Sequence, residues 1–244
     1  MAYTTINKHT DYFNTVLYTG DGNATQAITN TFQTDFSWIK DRGVTAAHTL
    51  QDAVRGFDVT KKLSSNSTDA ENNSSGATWG NYGGVTAVGA TSFTTSLGSN
   101  TPYQTNANGS NYVSWNWKAA GTSGSANSDG SVASTVSVNT TAGFSIVKWT
   151  GTGATATVGH GLGAKPSIVL IKNTGATENW VMYHSSLTAE KNLKLNNQEA
   201  AQDTTGAFND TEPTSSVFTV HTNTNTNQNG QVMIAYCFAE KTGY

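Results

Sequence analysis

Few residues in this chain have both the type and the spacing that catalysis needs. His160 sits in Gly159-His160-Gly161-Leu162-Gly163, where a loop-borne imidazole would serve as a ligand or proton carrier. No carboxylate stands at a fixed spacing from it, so the residues favour a glycine-rich turn with the ring in a polar niche. His48 and His184 are each solitary, and a solitary histidine is more often held structurally than used. Cys237, the only cysteine, would need a neighbouring base to act as a nucleophile; it reads as a small, half-buried strand residue. Asp203, Asp210 and Glu212 cluster loosely without the glycine and terminal Glu of a calcium loop, and read as a solvated loop. The pairs Gly20-Asp21-Gly22 and Gly151-Thr152-Gly153 lack the third glycine and following helix of a dinucleotide site and are expected as tight turns. Gly-x-Ser-x-Gly, Cys-x-x-Cys, His-Glu-x-x-His and a phosphate-binding loop do not occur. Among 16 acidic residues, no pair stands out for the two-carboxylate hydrolysis of a glycoside. The expectation is a chain that is not an enzyme and takes no metal and no cofactor.

Binding is the chemistry that remains. Aromatic rings form platforms for sugar rings, and the chain has six tryptophans. Trp79 and Tyr82, in the glycine-rich stretch Thr78-Trp79-Gly80-Asn81-Tyr82-Gly83-Gly84, are the aromatics singled out as contacts for a partner. Trp38, Trp115, Trp117 and Trp149 occupy strand-like alternations and read as core. The run His221-Thr-Asn-Thr-Asn-Thr-Asn-Gln-Asn-Gly230 is polar and uncharged, so Asn223, Asn225 and Asn227 are expected in an exposed loop offering hydrogen bonds to a glycan or a neighbouring subunit.

The elements that must carry these residues are strands. Asn108-Gly109 precedes Val113, Trp115 and Trp117 alternating with Ser114 and Asn116; Asn229-Gly230 precedes Ile234, Tyr236 and Phe238 alternating with Ala235 and Cys237. Period-two alternation puts the large residues on one buried face, and each Asn-Gly pair is a hairpin signal. Pro166 opens the apolar run 167–172, with 36–40 as its counterpart. Helix is scarce, with only 49–55 and 188–194 able to form a turn or two.

An internal repeat organises these strands. Phe13–Gly22 recurs as Phe144–Gly153 at an offset of 131, Ser37–Asp41 as Val169–Asn173 at 132, Leu63–Asn66 as Leu193–Asn196 at 130, and Asn108–Trp117 as Asn229–Phe238 at 121. The expected organisation is an N-terminal arm 1–10, a first repeat 11–119, a Gly/Ser-rich connector 120–141 and a second repeat 142–244. The expected fold is all-β: two tandem, related antiparallel β-sandwich domains, jelly-roll or lectin-like, with barrels as the alternative.

Composition agrees. Thr, Ser, Asn and Gly make up nearly half of the 244 residues, while 12% are charged, 36% hydrophobic and 10% aromatic. That excludes long helical proteins and charge-driven disorder. A net charge of −3 offers no footprint for a nucleic-acid backbone. No apolar stretch approaches the ~20 residues of a membrane span, and residues 1–13 lack the apolar segment of a signal peptide. A single cysteine leaves no internal disulfide.

Across nearly its whole length the chain resembles a family of marine bacteriophage virion proteins, often labelled tail fibre, found in phages of cyanobacteria and other marine bacteria. Tyr3-Thr4-Thr5-Ile6, Tyr12-Phe13-Asn14-Thr15, Asp35-Phe36-Ser37-Trp38-Ile39-Lys40, Asp52-Ala53-Val54-Arg55-Gly56, Val113-Ser114-Trp115-Asn116-Trp117-Lys118, Gly159-His160-Gly161-Leu162-Gly163 and Trp180-Val181-Met182-Tyr183-His184 carry the resemblance. It implies a non-enzymatic structural protein of the virion, made in the host cytoplasm. Such a protein would act as a tail-fibre or receptor-binding adhesin on host cell-surface glycan, with capsid decoration (cement) or a tail-connecting role as the alternative. Its partners would be other virion proteins and further copies of itself, a homotrimer being the usual symmetry, with neither nucleic acid nor membrane insertion.

Overall fold

The structure is a computed structural model that describes residues 6–73, 78–203 and 205–242. It is all-β and divides into two compact units, one of residues 8–122 and one of residues 123 onward with Ile6 and Asn7.

The first unit holds β1 (Phe13–Thr19), β2 (Thr25–Thr29), β3 (Phe36–Asp41), β4 (Thr49–Asp52), β5 (Val85–Gly89), β6 (Ser92–Ser96) and β7 (Asn111–Trp117). They form a four-stranded sheet in the order β1-β7-β3-β4 and a three-stranded sheet β2-β6-β5, with every pairing antiparallel. Ile28, Val85 and Phe93 from the small sheet meet Ile39 and Tyr112 from the large one. This is a two-layered, sandwich-type packing in which alternate residues of each strand face inward.

The second unit holds β8 (Ser125–Asn127), β9 (Ser134–Asn139), β10 (Phe144–Thr150), β11 (Ala156–Gly159), β12 (Pro166–Asn173), β13 (Val181–His184), β14 (Lys191–Lys194), β15 (Gln202–Asp203), β16 (Val217–Val220) and β17 (Val232–Ala239), with short helices α1 (Thr205–Phe208) and α2 (Thr224–Asn227). Eight strands run β15-β14-β13-β12-β17-β10-β9-β8, and β11 pairs with β16. Val158, Phe218 and Val220 of that pair pack on Val147, Val169, Ala235 and Cys237 of the large sheet.

The four repeated blocks occupy matching places in the two units. Phe13 lies opposite Trp117 and Phe36 opposite Trp117; Phe144 lies opposite Phe238 and Ile168 opposite Phe238. Leu50 bridges to Leu63 as Met182 pairs with Leu193. The order β1-β7-β3-β4 thus has the same pairings as β10-β17-β12-β13. The Gly-x-Gly pairs are tight turns in both units: a Cβ on Gly20 would meet the Ala107 carbonyl at 2.2 Å and one on Gly151 the Gln228 carbonyl at 2.2 Å, so only glycine fits there.

Several expectations need correction. The stretch 120–141 is not a connector: β8 and β9 lie inside it, and the units divide between Thr122 and Ser123. Ser134, Val136 and Val138 have strand periodicity, which the Gly/Ser-rich start of the segment masks. Residues 49–52 and 191–194 are strands rather than helical turns. The Asn-Gly turns precede β7 and β17 but close no hairpin, because β6 and β16 belong to the other sheets. Finally, both faces of β17 are buried: Ile234 and Tyr236 on one side, Ala235 and Cys237 on the other, all 0% exposed.

Candidate functional site

Of the residues singled out from the sequence for binding, Trp79 and the asparagines are taken up by the fold, while Tyr82 is half-buried. Trp79 begins a 3-10 helix, Trp79–Tyr82, and is 7% exposed, with its ring 6.1 Å from that of Tyr82. Lys62 stands 5.7 Å from the Trp79 ring centroid. Its Nζ lies within hydrogen-bond distance of the Gly83 carbonyl at 2.9 Å, of the Trp79 carbonyl and of Gln104 Oε1. Trp79 is therefore packed around a buried lysine rather than offered as an exposed platform, and a buried ring has no free face for a sugar.

The Asn-Thr run is likewise not an open loop, because Asn223 caps α2 by accepting from the Asn225 amide at 2.9 Å. Asn225 Oδ1 accepts from the Asn179 amide at 2.7 Å. Asn227 is fully buried and ties down the Gly151–Ala154 turn. Side-chain hydrogen bonding to nearby backbone is what Asn offers best, and here it is spent internally.

Complete burial without a carboxylate partner holds the Lys62 ammonium well below the usual lysine range. In the window between that lowered value and about 10.4, the unfolded chain carries one proton more than the folded one, so this lysine makes stability rise with pH. Urea midpoints for the wild type and Lys62→Met, taken from about pH 7 to about pH 9, are expected to show the wild type gaining on the variant as pH increases. Parallel curves would refute this.

The remaining chemistry-bearing groups are structural. His160 is buried; its Nδ1 accepts from the Leu162 amide at 3.2 Å, leaving Nε2–H to donate to the Thr214 carbonyl at 3.3 Å. Burial pushes its pKa down. Burial also pushes the Cys237 thiol up to about 12, away from the thiolate a nucleophile needs. Glu212 lies in a loop with its side chain 40% exposed and accepts from Lys165 Nζ at 2.7 Å, the Tyr183 hydroxyl at 2.5 Å and the Ala189 amide at 2.7 Å.

A different group of residues faces outward. On the four-stranded sheet of unit 8–122, Tyr112, Ser114 and Asn116 of β7 turn toward the small sheet and are 0% exposed. Trp115 and Trp117, read from the sequence as core, lie on the opposite face and are half-buried. Trp115 pairs across the sheet with Trp38 of β3 and with Thr15 of β1. The two indoles stand edge to face, 6.2 Å between centroids and 78° between planes.

His48, half-buried, fixes Trp38: its Nδ1 accepts the indole N–H at 2.7 Å. Burial and then the nearby Lys40 push the His48 pKa down, so the ring is neutral at pH 7 with its proton on Nε2. Trp117 packs between Phe13 at 4.9 Å and Phe36 at 5.0 Å. Leu17 is 62% exposed and Val44 49% exposed, and Leu17 shares the outer face through its pairing with Val113.

The outcome is a strip of half-exposed rings on a rigid sheet, backed by the hydrophobic layer around Phe93. Such a strip offers flat apolar area with the His48 Nε2–H beside it, the combination that binds saccharides and protein side chains. The sequence signal was present in the Trp115/Trp117 alternation. What was missing was which side of the sheet the second layer covers.

In comparisons with curated proteins and with solved structures, nothing matches the chain. One family model spans both units, and the chain belongs, over residues 8–244, to the family DUF7483, described as a domain of unknown function.

Proposed function

We propose that this chain is a non-enzymatic structural protein of a virion, made in the host cytoplasm, that works as a tail-fibre or receptor-binding adhesin and contacts host-surface glycan. Two things support the reading: the resemblance carried by the sequence motifs, and the half-exposed Trp38–Trp115 pair on the outer face of the sheet β1-β7-β3-β4. The second carries it. Large aromatic residues left partly in water on a rigid strand face cost hydrophobic stabilisation that burial would recover, and contact with a ligand recovers it. We assign the contact to this face rather than to Trp79 or the Asn223–Asn227 segment, because the Trp79 ring is buried and Asn223, Asn225 and Asn227 are engaged in hydrogen bonds within the fold.

The test is binding of the purified chain to cells and isolated surface polysaccharide of marine bacteria, for the wild type, Trp38→Ala, Trp115→Ala and Asn225→Ala. Truncating an aromatic at the centre of a contact typically costs about 2 kcal/mol or more, so each tryptophan variant is expected to lose about thirtyfold in affinity while Asn225→Ala binds as the wild type does. Wild-type chain that binds no cell and no polysaccharide would sink the proposal. Binding to phage capsids instead would transfer the chain to the decoration role.

A further inference from the structure

We propose that the Trp38–Trp115 face takes an acidic saccharide, one bearing a uronate or a sulfate ester, at a single site per chain; this rests on the glycan-binding reading above and names its substrate class. The argument starts from charge. The chain as a whole is net negative at −3, yet the end of this strip beyond Trp38 carries two cations. Lys40 shares the outer face with Trp38, two residues along β3, and lies opposite Val113. Arg42 follows at the end of the strand and is exposed.

Five cations are held in ion pairs: Lys8 with Asp11, Arg55 with Asp52 and Glu71, Lys61 with Glu71, Lys165 with Glu212 and Lys194 with Glu199. Lys40 and Arg42 form no ion pair among the described residues. The Lys40 ammonium instead folds over neutral backbone, donating to the Val44 carbonyl at 3.0 Å and to the Asp41 carbonyl. Two unmatched cations at the rim of an aromatic strip complement an anion attached to a ring that stacks on the strip.

The neutral His48 supplies the third element. With Nδ1 occupied by the Trp38 indole, its Nε2–H is a donor that no described residue takes up, and it suits a sugar hydroxyl. The second unit has no counterpart site. At the positions matching Trp38 and Trp115 it has Leu170 and Tyr236, 6% and 0% exposed, and the lysine matching Lys40, Lys172, is buried. The stoichiometry is therefore one saccharide per chain, and tight attachment to a surface would come from several chains acting together.

Titration calorimetry of the full chain with polygalacturonate, dextran sulfate and neutral dextran of matched length tests this. The expected result is about tenfold tighter binding of both acidic polymers than of dextran. The double variant Lys40→Gln/Arg42→Gln is expected to abolish the preference but keep the neutral-polymer affinity, and Trp38→Ala to weaken all three. Roughly 0.5 M salt is expected to erase the preference as well. Equal affinity for charged and neutral polymers, a preference that survives in Lys40→Gln/Arg42→Gln, or a Trp38→Ala chain that binds the acidic polymers as the wild type does would overturn the inference while leaving the glycan-binding reading in place. Failure to bind any polymer or any cell would overturn both.

Discussion

Replacing Asp52 with Ala is expected to destabilise unit 8–122 by about 3–5 kcal/mol, because it strands a buried guanidinium. Asp52 Oδ2 lies 2.6 Å from Arg55 Nε, and the two side chains are 0% and 2% exposed. The other carboxylate oxygen accepts from the Val54 amide at 3.0 Å and the Arg55 amide at 2.9 Å, so the same group caps the turn that brings Arg55 round. Arg55 continues to Glu71 at 3.0 Å and to the Lys61 carbonyl, which fastens the segment after β4 over the sheet edge. Once Asp52 is gone, half of this network still holds a desolvated cation in place. Asp52→Leu combined with Arg55→Met removes both charges together and is expected to be less destabilised than Asp52→Ala alone. Urea unfolding followed by tryptophan fluorescence measures both. A loss below about 1 kcal/mol, the range of exposed ion pairs, would show that the pair is not as shielded as its geometry implies.

The second large effect is expected at Asn227, where substitution by Ala should cost about 2–3 kcal/mol through buried polar groups left without partners. Asn227 Nδ2 donates to the Ala154 carbonyl at 2.7 Å and to Thr152 Oγ1 at 3.0 Å, while Oδ1 accepts from the Thr152 amide at 3.0 Å. Asn106 does the same work in the first unit: its Nδ2 donates to the Asn23 carbonyl and to Asp21 Oδ1, both at 2.9 Å, and its Oδ1 accepts from the Asp21 amide at 3.2 Å. Asn106→Ala is expected to cost a similar amount. Thermal unfolding of the two variants tests the pair. If Asn227 instead contacted a ligand, Asn227→Ala would unfold like the wild type and lose polysaccharide affinity; the expected outcome is the reverse.

These two asparagines illustrate what could be read from the chain and what could not. Asn227 stands in a conspicuous polar run, and Asn106 lies two residues before an Asn-Gly turn with nothing local to set it apart. Both are separated by more than 70 residues from the turns they hold, and no local pattern records such a partnership. The tryptophans teach the same lesson. Alternation in 111–117 assigned Trp115 and Trp117 to one face correctly, but hydrophobicity alone turned that face inward. The small sheet covers the Tyr112–Ser114–Asn116 side instead, and it does so because Phe93 and Ile28 arrive from β6 and β2, elements that local alternation cannot place against one side or the other. Trp79 differs from its sequence expectation for the complementary reason: glycine-rich surroundings suggest an exposed loop, whereas those glycines let the backbone close around Lys62.

From the sequence by itself came the all-β class, the scarcity of helix, and the correspondence of four blocks that now occupy matching registers, such as Phe13–Trp117 and Phe144–Phe238. These properties are encoded locally, in strand periodicity, in glycine turns and in repeated spacing, so they need no knowledge of distant contacts. Tertiary structure alone decided which face of each sheet stays in water, where one unit ends and the next begins, and which polar residues are consumed within the fold. Each of those depends on pairing between strands far apart in the chain, and a one-residue choice of face exchanges the inside for the outside. That choice leaves Trp38, Trp115 and Lys40 at the surface of the first unit and buries Leu170, Tyr236 and Lys172 in the second.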